Sequence, residues 1–210
     1  IPAAGNDQGL EKLVDIAERR NIPVSRCARG DRIMLDDSTG FLVLHPESVP
    51  GAGNLFSSNS PLKNKGLSLN NSSPPDNDGS SLNNDSLVLK LYFKDMAVLF
   101  PGDIEAETES ILVKDNGGLR ADLLRADVLK VAHHGSVTST TEEFLASVSP
   151  KAAVISVGRN NFGHPSAVVL EKLERAGINL FRTDTDGAVI LESDGKRIAI
   201  RKTIPGRGDR

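Results

Sequence analysis

Ala126-Asp127-Val128-Leu129-Lys130-Val131-Ala132-His133-His134-Gly135-Ser136 is the stretch on which the reading of this chain turns. The apolar run Val128 to Ala132 predicts a buried strand that delivers His133 and His134 to its carboxyl end, where Gly135 lets the backbone turn away. Two imidazoles at the end of a core strand are placed for metal chemistry. Adjacent strand residues point to opposite faces, so only one of the pair enters a given pocket unless the turn begins at once. The plainer alternative is one satisfied core histidine and one surface histidine.

The same pattern recurs on either side. Asp85 to Phe93 and Met96 to Phe100 predict a tight hairpin about Lys94-Asp95, and the second strand runs into Pro101-Gly102-Asp103. Ile104 to Lys114 then reads as a helix with Glu105, Glu107 and Glu109 near its start, so Asp103 is either a ligand or that helix's N-cap. Downstream, Ser139-Thr140-Thr141-Glu142-Glu143 has capping-box spacing and opens a helix to Val148. A third apolar strand, Ala152 to Val157, ends in the polar loop Gly158 to Pro165, which carries Asn161 and His164. A helix follows over Ser166 to Ala176 with Val168, Val169, Leu170 and Leu173 inward. Strands at Asn179 to Phe181, Ala188 to Glu192 and Arg197 to Arg201 precede a basic, frayed tail, Lys202 to Arg210.

Three successive strand-loop-helix units thus end their strands in Asp103, His133 with His134, and His164. In layered α/β folds, ligands collect beyond the carboxyl ends of the strands, so these groups converge although they are distant in sequence. One carboxylate with two or three imidazoles is the ligand set of a zinc- or manganese-type site. A carboxylate also bridges metal pairs in phosphoryl-transfer enzymes, where metal-bound water becomes the nucleophile. The N-termini of the following helices offer backbone N–H groups to an anion such as phosphate. For His164 three roles stand open: metal ligand, phosphate contact or general acid, and plain loop residue.

The amino-terminal part carries no such chemistry. Gln8 to Arg20 has the spacing of an amphipathic helix, and Val24 to Cys27, Arg32 to Leu35 and Phe41 to Leu44 read as short strands of an antiparallel meander, with His45 structural or exposed. Glu47 to Asn84 is rich in Ser, Asn, Gly and Pro and poor in apolar residues, the composition of a disordered loop inserted in a single domain spanning the whole chain. Overall, 38% apolar and 25% charged residues match a soluble globular protein, and 4% aromatic with no Trp makes its core aliphatic. A net charge of −3 excludes a general electrostatic footprint for nucleic acid, leaving a local patch or bound cations. Cys27, the single cysteine, excludes an internal disulfide. The sequence shows neither a signal peptide nor an apolar run long enough to span a bilayer.

In order along the chain, Asn84-Asp85-Ser86-Leu87-Val88-Leu89, Phe100-Pro101-Gly102-Asp103-Ile104, the block from Ala126 to Ser136, Ile155-Ser156-Val157-Gly158, Gly163-His164-Pro165 and Arg182-Thr183-Asp184-Thr185-Asp186-Gly187-Ala188 resemble the carboxyl-terminal metallo-β-lactamase-like domain of ComEC-type DNA-internalisation competence proteins. The resemblance runs from about Gly9 to Arg201. It implies an α/β (α+β) fold, an αββα sandwich of which this chain is mainly the carboxyl-terminal half. It also implies two zinc or manganese ions in the complete domain, no small organic cofactor, and phosphodiester hydrolysis, here of DNA. By the resemblance Asp103 is the bridging carboxylate, His133 or His134 or both are metal ligands, and Asp103, His134 and His164 are the catalytic set. Ser136, Asn161 and His164 then line the substrate cleft. The partners implied are DNA and the membrane-embedded remainder of the same inner-membrane protein.

One departure shapes the expectation. The family's His-x-His-x-Asp-His motif, which supplies most of the metal ligands, is absent from this sequence, whose four histidines never take that spacing. Ile1 is therefore expected to fall partway through the domain, in a fragment or a truncated gene product with little hydrolase activity of its own. Two other readings stay open: a metallo-hydrolase of a small-molecule or cell-wall phosphodiester or ester, and a degenerate module that only binds a partner.

Overall fold

A computed structural model describes residues 8–24, 27–47, 82–116 and 122–204. The elements are α1 (Gln8–Arg19), β1 (Arg32–Met34), β2 (Thr39–His45), β3 (Val88–Phe93), β4 (Met96–Phe100), α2 (Ala106–Asn116), β5 (Val128–Lys130), α3 (Glu142–Val148), β6 (Ala152–Ile155), α4 (Ala167–Arg175), β7 (Asn179–Arg182), α5 (Thr183–Asp186), β8 (Val189–Ser193) and β9 (Ile198–Lys202).

Seven strands form one mixed sheet in sequential order, β1 to β7. β1 to β4 pair antiparallel, and β4 to β7 run parallel with α2, α3 and α4 as crossovers. Because right-handed crossovers in a sheet of this order return on the same side, all three helices cover one face. The register confirms it: Leu99, Leu129, Ala153 and Leu180 are successive partners across β4 to β7, and they pack with Leu112 of α2, Phe144 and Val148 of α3, and Val169 and Leu173 of α4. Val98, Val128 and Ala152 follow one another across the opposite face. The described residues therefore show an α/β fold with helices over one side of a large mixed sheet, and a separate two-stranded sheet, β8–β9.

Several boundaries differ from the sequence reading for identifiable reasons. Neither Val24 nor Cys27 lies in a strand, and residues 25–26 fall outside the described ones; Arg29 and Gly30 instead donate to Pro46 O and Val43 O, which ties this segment to the end of β2. Of the Ser/Asn-rich stretch, residues 48–81 lie outside the described residues, and Leu82–Asp85 forms a 3-10 turn. In the tail, Lys202 belongs to β9 while Thr203 N and Ile204 N donate to Ala188 O and Asp186 O; residues 205–210 lie outside the described ones. On α4 the spacing of four selects Val169 and Leu173 for the core, and Val168, rotated about 100° away, is 46% exposed rather than inward.

The start of α3 also differs from its capping-box reading. Its N-cap is Thr141, whose hydroxyl accepts from Phe144 N, and the preceding Thr140 is held at a left-handed φ of 60°. Both conformations are fixed from α2: the carboxylate of Glu109, fully buried, accepts from Thr140 N at 2.6 Å and Thr141 N at 2.7 Å. Burial pushes the Glu109 carboxyl pKa up, and the two N–H bonds pull it back. Lys172 of α4 donates to Thr140 O at 3.1 Å, so α2 and α4 both hold the turn that opens α3.

His45 packs at the end of β2, where Nε2 donates to Asn84 O at 2.9 Å and Nδ1 is buried without a partner. A second proton on Nδ1 would have no acceptor, and desolvation holds the His45 pKa below its ordinary 6.5. Glu47 and Asp85 favour the charged ring and Arg29 opposes it, all more weakly than burial. A depressed folded pKa means the native state binds fewer protons than the unfolded chain, so this contribution is complete above pH 6.5 and is lost as pH falls below it. His45→Gln is expected to flatten the pH dependence of the urea midpoint between neutral pH and about 5. An identical slope in the variant would show that His45 does not carry the effect.

Candidate active site

The carboxyl edge of the parallel strands gathers the chemistry. β4 ends in the turn Pro101-Gly102-Asp103, where Gly102 takes φ +65° and an added Cβ would come within 2.7 Å of Ser86 Cβ. Ser86 Oγ in turn accepts from Asp103 N at 3.1 Å, which fixes the base of the Asp103 side chain. β5 stops at Lys130, and the backbone turns at once: His133 (φ 46°), His134 (φ 53°) and Gly135 (φ 84°) are all left-handed. The strand rule that would send one histidine away does not apply, because neither is in the strand. Both imidazoles look onto the same edge.

His134 Nδ1 lies 2.6 Å from Ser156 O at the end of β6. A carbonyl oxygen only accepts, so Nδ1 donates to it, and in the neutral ring the lone pair is then on Nε2, 3.8 Å from Asp103 Oδ2. In that tautomer the two acceptors face each other, and a divalent cation between them would satisfy both. Metal–ligand bonds near 2.0–2.2 Å set two tetrahedral ligands of one ion roughly 3.3–3.6 Å apart, and the 3.8 Å pair lies a few tenths of an ångström from that spacing. The carbonyl bond to the far ring nitrogen is also the usual support of a ligating histidine.

His133 sits on the other side of the turn. Its Nδ1 is buried, makes no hydrogen bond, and lies 3.4 Å from Glu105 Oε1. Glu105 Oε1 is itself held by Thr138 Oγ1 at 3.1 Å and Asn83 Nδ2 at 3.3 Å. The ring of His164 meets His133 edge-on, 5.6 Å between centroids. Desolvation first, and repulsion from His133 and His134 second, hold the His164 pKa below the usual range. Lys130 reaches across from β5, with Nζ 3.3 Å from Gly102 O and 3.7 Å from Asp103 Oδ1. Burial lowers the Lys130 pKa, while Asp103 pulls it up.

Asp103, His133, His134 and His164 are therefore brought to one edge. Ser136 and Asn161 are placed differently. Ser136 is buried and its hydroxyl shares a hydrogen bond with Thr138 Oγ1 inside its own turn. Asn161 is exposed, and its neighbour Asn160 organises the loop. The helix N-termini are not open to an anion as expected: Glu109 occupies that of α3, Ala106 N at the head of α2 donates to Thr138 O, and Ser166 Oγ caps α4. Glu105 and Lys130 stand at this edge although neither is among the site residues read from the sequence. Glu105 carried a signal, two residues after Asp103 in the same turn, and so did Lys130, the one charge inside an apolar strand. Among the described residues no group of three or more His, Cys, Asp or Glu side chains closes on one point. Asp103 and His134 thus fit as two ligands of a divalent cation, not as a complete set.

The metallo-beta-lactamase superfamily profile matches residues 13–159. The chain belongs to the metallo-beta-lactamase superfamily. Members of this superfamily usually bind divalent metals. The chain is 41% identical over 180 residues to ComE operon protein 3 of Bacillus subtilis, covering 85% of this chain and 19% of that protein. It is 40% identical over 105 residues to Competence protein ComA of Neisseria gonorrhoeae, covering 50% of this chain and 15% of that protein. Recombination protein 2 of Haemophilus influenzae is 37% identical over 107 residues, covering 50% and 13%. The chain spans less than a fifth of the length of each of these relatives. It is a hydrolase-fold module of the kind found in competence proteins. Among the described residues no helix is long and apolar enough to cross a membrane.

Proposed function

We propose that this module forms the Asp103–His134 side of a divalent-metal centre, zinc or manganese, that hydrolyses phosphodiester bonds of DNA within a membrane-anchored DNA-uptake protein. The observation that supports this most is the pair itself: a carboxylate 3.8 Å from an imidazole nitrogen whose other nitrogen is locked on Ser156 O. The competence relatives supply the DNA half of the reading.

A bound divalent cation supplies hydroxide at neutral pH, because it lowers the pKa of its water toward about 7. The chain's own residues do the rest. Asp103 and His134 would hold the cation, Lys130 would temper the charge of Asp103 from the inner side, and His164 would offer its ring to the substrate's oxygens. Because the described residues bring two ligands to the ion and not three, the remaining ligands come from outside them. These 210 residues alone are expected to cleave DNA poorly or not at all.

Cleavage of labelled DNA with added Mn²⁺ or Zn²⁺, read beside bound metal, tests the proposal. In the protein that supplies the full ligand set, Asp103→Asn and His134→Ala are each expected to lower metal affinity by about 100-fold or more, above the 10–100-fold typical of residues that merely orient a ligand. Unchanged metal content in both variants would remove the centre. Retained metal with no cleavage of DNA, but turnover of another phosphodiester, would keep the centre and change the substrate.

A further inference from the structure

The loop between β6 and α4 carries a side chain that the catalytic edge does not use. Phe162 is 82% exposed, in a chain whose aromatic content is only 4%. Burying a phenyl ring is worth about 1.5–3 kcal/mol, and Phe144 shows that this fold buries one completely. Phe162 forgoes that gain in a fixed position. The Asn160 side chain closes the loop around itself: Nδ2 donates to Gly158 O at 2.9 Å and His164 O at 2.8 Å, while Oδ1 accepts from Phe162 N and His164 N, both at 3.1 Å. The inner face of the ring lies nearly parallel to His164, 24° and 6.0 Å between centroids, and His164 abuts His133. The outer face is open, and the ring stands at the rim of the site. Arg159, exposed on the same loop, forms no ion pair among the described residues.

We propose that Phe162 is a stacking platform for an unpaired nucleobase, with Arg159 meeting the adjoining phosphate, so that the strand presented to the catalytic edge is single-stranded. A flat ring held open beside a cation is how sequence-indifferent single-strand sites are built, since every base offers a face to stack. A base within a duplex has both faces covered by its neighbours. A base stacked on Phe162 extends the stacked pair Phe162–His164 outward, and His164 in turn meets His133 edge-on at the catalytic edge. The proposal rests on the phosphodiester reading and narrows it to a strand class.

The test is anisotropy of a labelled oligo-dT strand, an abasic strand and a hairpin duplex with the intact protein, in EDTA so that nothing is cut. Oligo-dT is expected to bind more tightly than the other two. Phe162→Ala is expected to weaken oligo-dT binding by about 5- to 150-fold, the range for one base–aromatic stack, and to leave the abasic strand unaffected. Phe162→Trp is expected to restore it. Oligo-dT binding that Phe162→Ala does not change, equal binding of the abasic strand, or no binding of any strand would each overturn the proposal. Because binding is read without metal, Phe162-dependent capture of a strand that is never cut supports the platform and rejects the hydrolase. Cleavage that is indifferent to Phe162 does the reverse.

Discussion

Glu109→Ala is expected to cost about 3–5 kcal/mol of unfolding free energy, and to lower the midpoint of thermal unfolding by roughly 6–20 °C. The buried N–H of Thr140 and the half-buried N–H of Thr141 lose the carboxylate that accepts from both, at about 1–3 kcal/mol each, and a void opens between α2 and α3. Thr140 also loses what holds it at φ 60°, a poor conformation for a β-branched residue. Glu109→Gln is expected to lose less, about 1–3 kcal/mol, since its amide oxygen still serves one of the two donors. Urea or thermal melts decide the matter. A loss below about 1 kcal/mol for the alanine variant would mean that water or a shifted α3 satisfies the freed groups.

Gly135→Ala is expected to cost roughly 2–5 kcal/mol, and to disturb the active edge as well as the fold. Gly135 has φ +84°, and an added Cβ would lie 2.7 Å from Pro165 Cβ and 3.1 Å from Pro165 Cα, neither of which is a flexible end that could swing aside. The left-handed backbone accounts for about 1–2 kcal/mol and the collision for about 1–3. Gly135 O also accepts from Ser166 N at 2.9 Å, so relief of the collision moves the His164–Pro165 loop relative to the histidine turn. Gly158→Ala is the control: nothing lies within 4 Å of its added Cβ, and stability should change by less than about 0.5 kcal/mol. If the two variants melt alike, the contact between the turn and the loop is not a tight one.

Most of the sheet was legible because its strands are short apolar runs closed by glycine turns: the Phe93–Met96 register reproduces the hairpin read at Lys94-Asp95. The ends of Met96–Phe100 and the order of the three strand-loop-helix units followed from the same punctuation. Convergence of Asp103 with His133, His134 and His164 followed from topology alone, since parallel strands in sequential order put their carboxyl ends side by side. Long-range polar partners were not legible. Nothing local to Glu109 announces that it serves Thr140 and Thr141, residues more than 30 positions away, and the helix-dipole reading of that glutamate missed a buried carboxylate. The setting of Ser136 was hidden for a similar reason: a hydroxyl beside two histidines looks available in sequence, but the left-handed turn buries it and pairs it with Thr138 Oγ1. Asn160 and Asn161 differ by one position, and only the loop's closure distinguishes the organiser from its neighbour.

Every strand of the seven-stranded sheet lies beside the strand that precedes it in the chain. Such an arrangement can be added to in the direction of synthesis: each segment, on leaving the ribosome, meets an edge already in place and needs no later segment to pair. The exception to short closures is the connection from β2 to β3, whose ends at His45 and Val88 are joined by 42 intervening residues. The free energy of loop closure grows only logarithmically with length, each doubling costing about 0.6 kcal/mol, so this interval lowers the final stability little while the edge of β2 waits through its synthesis for β3.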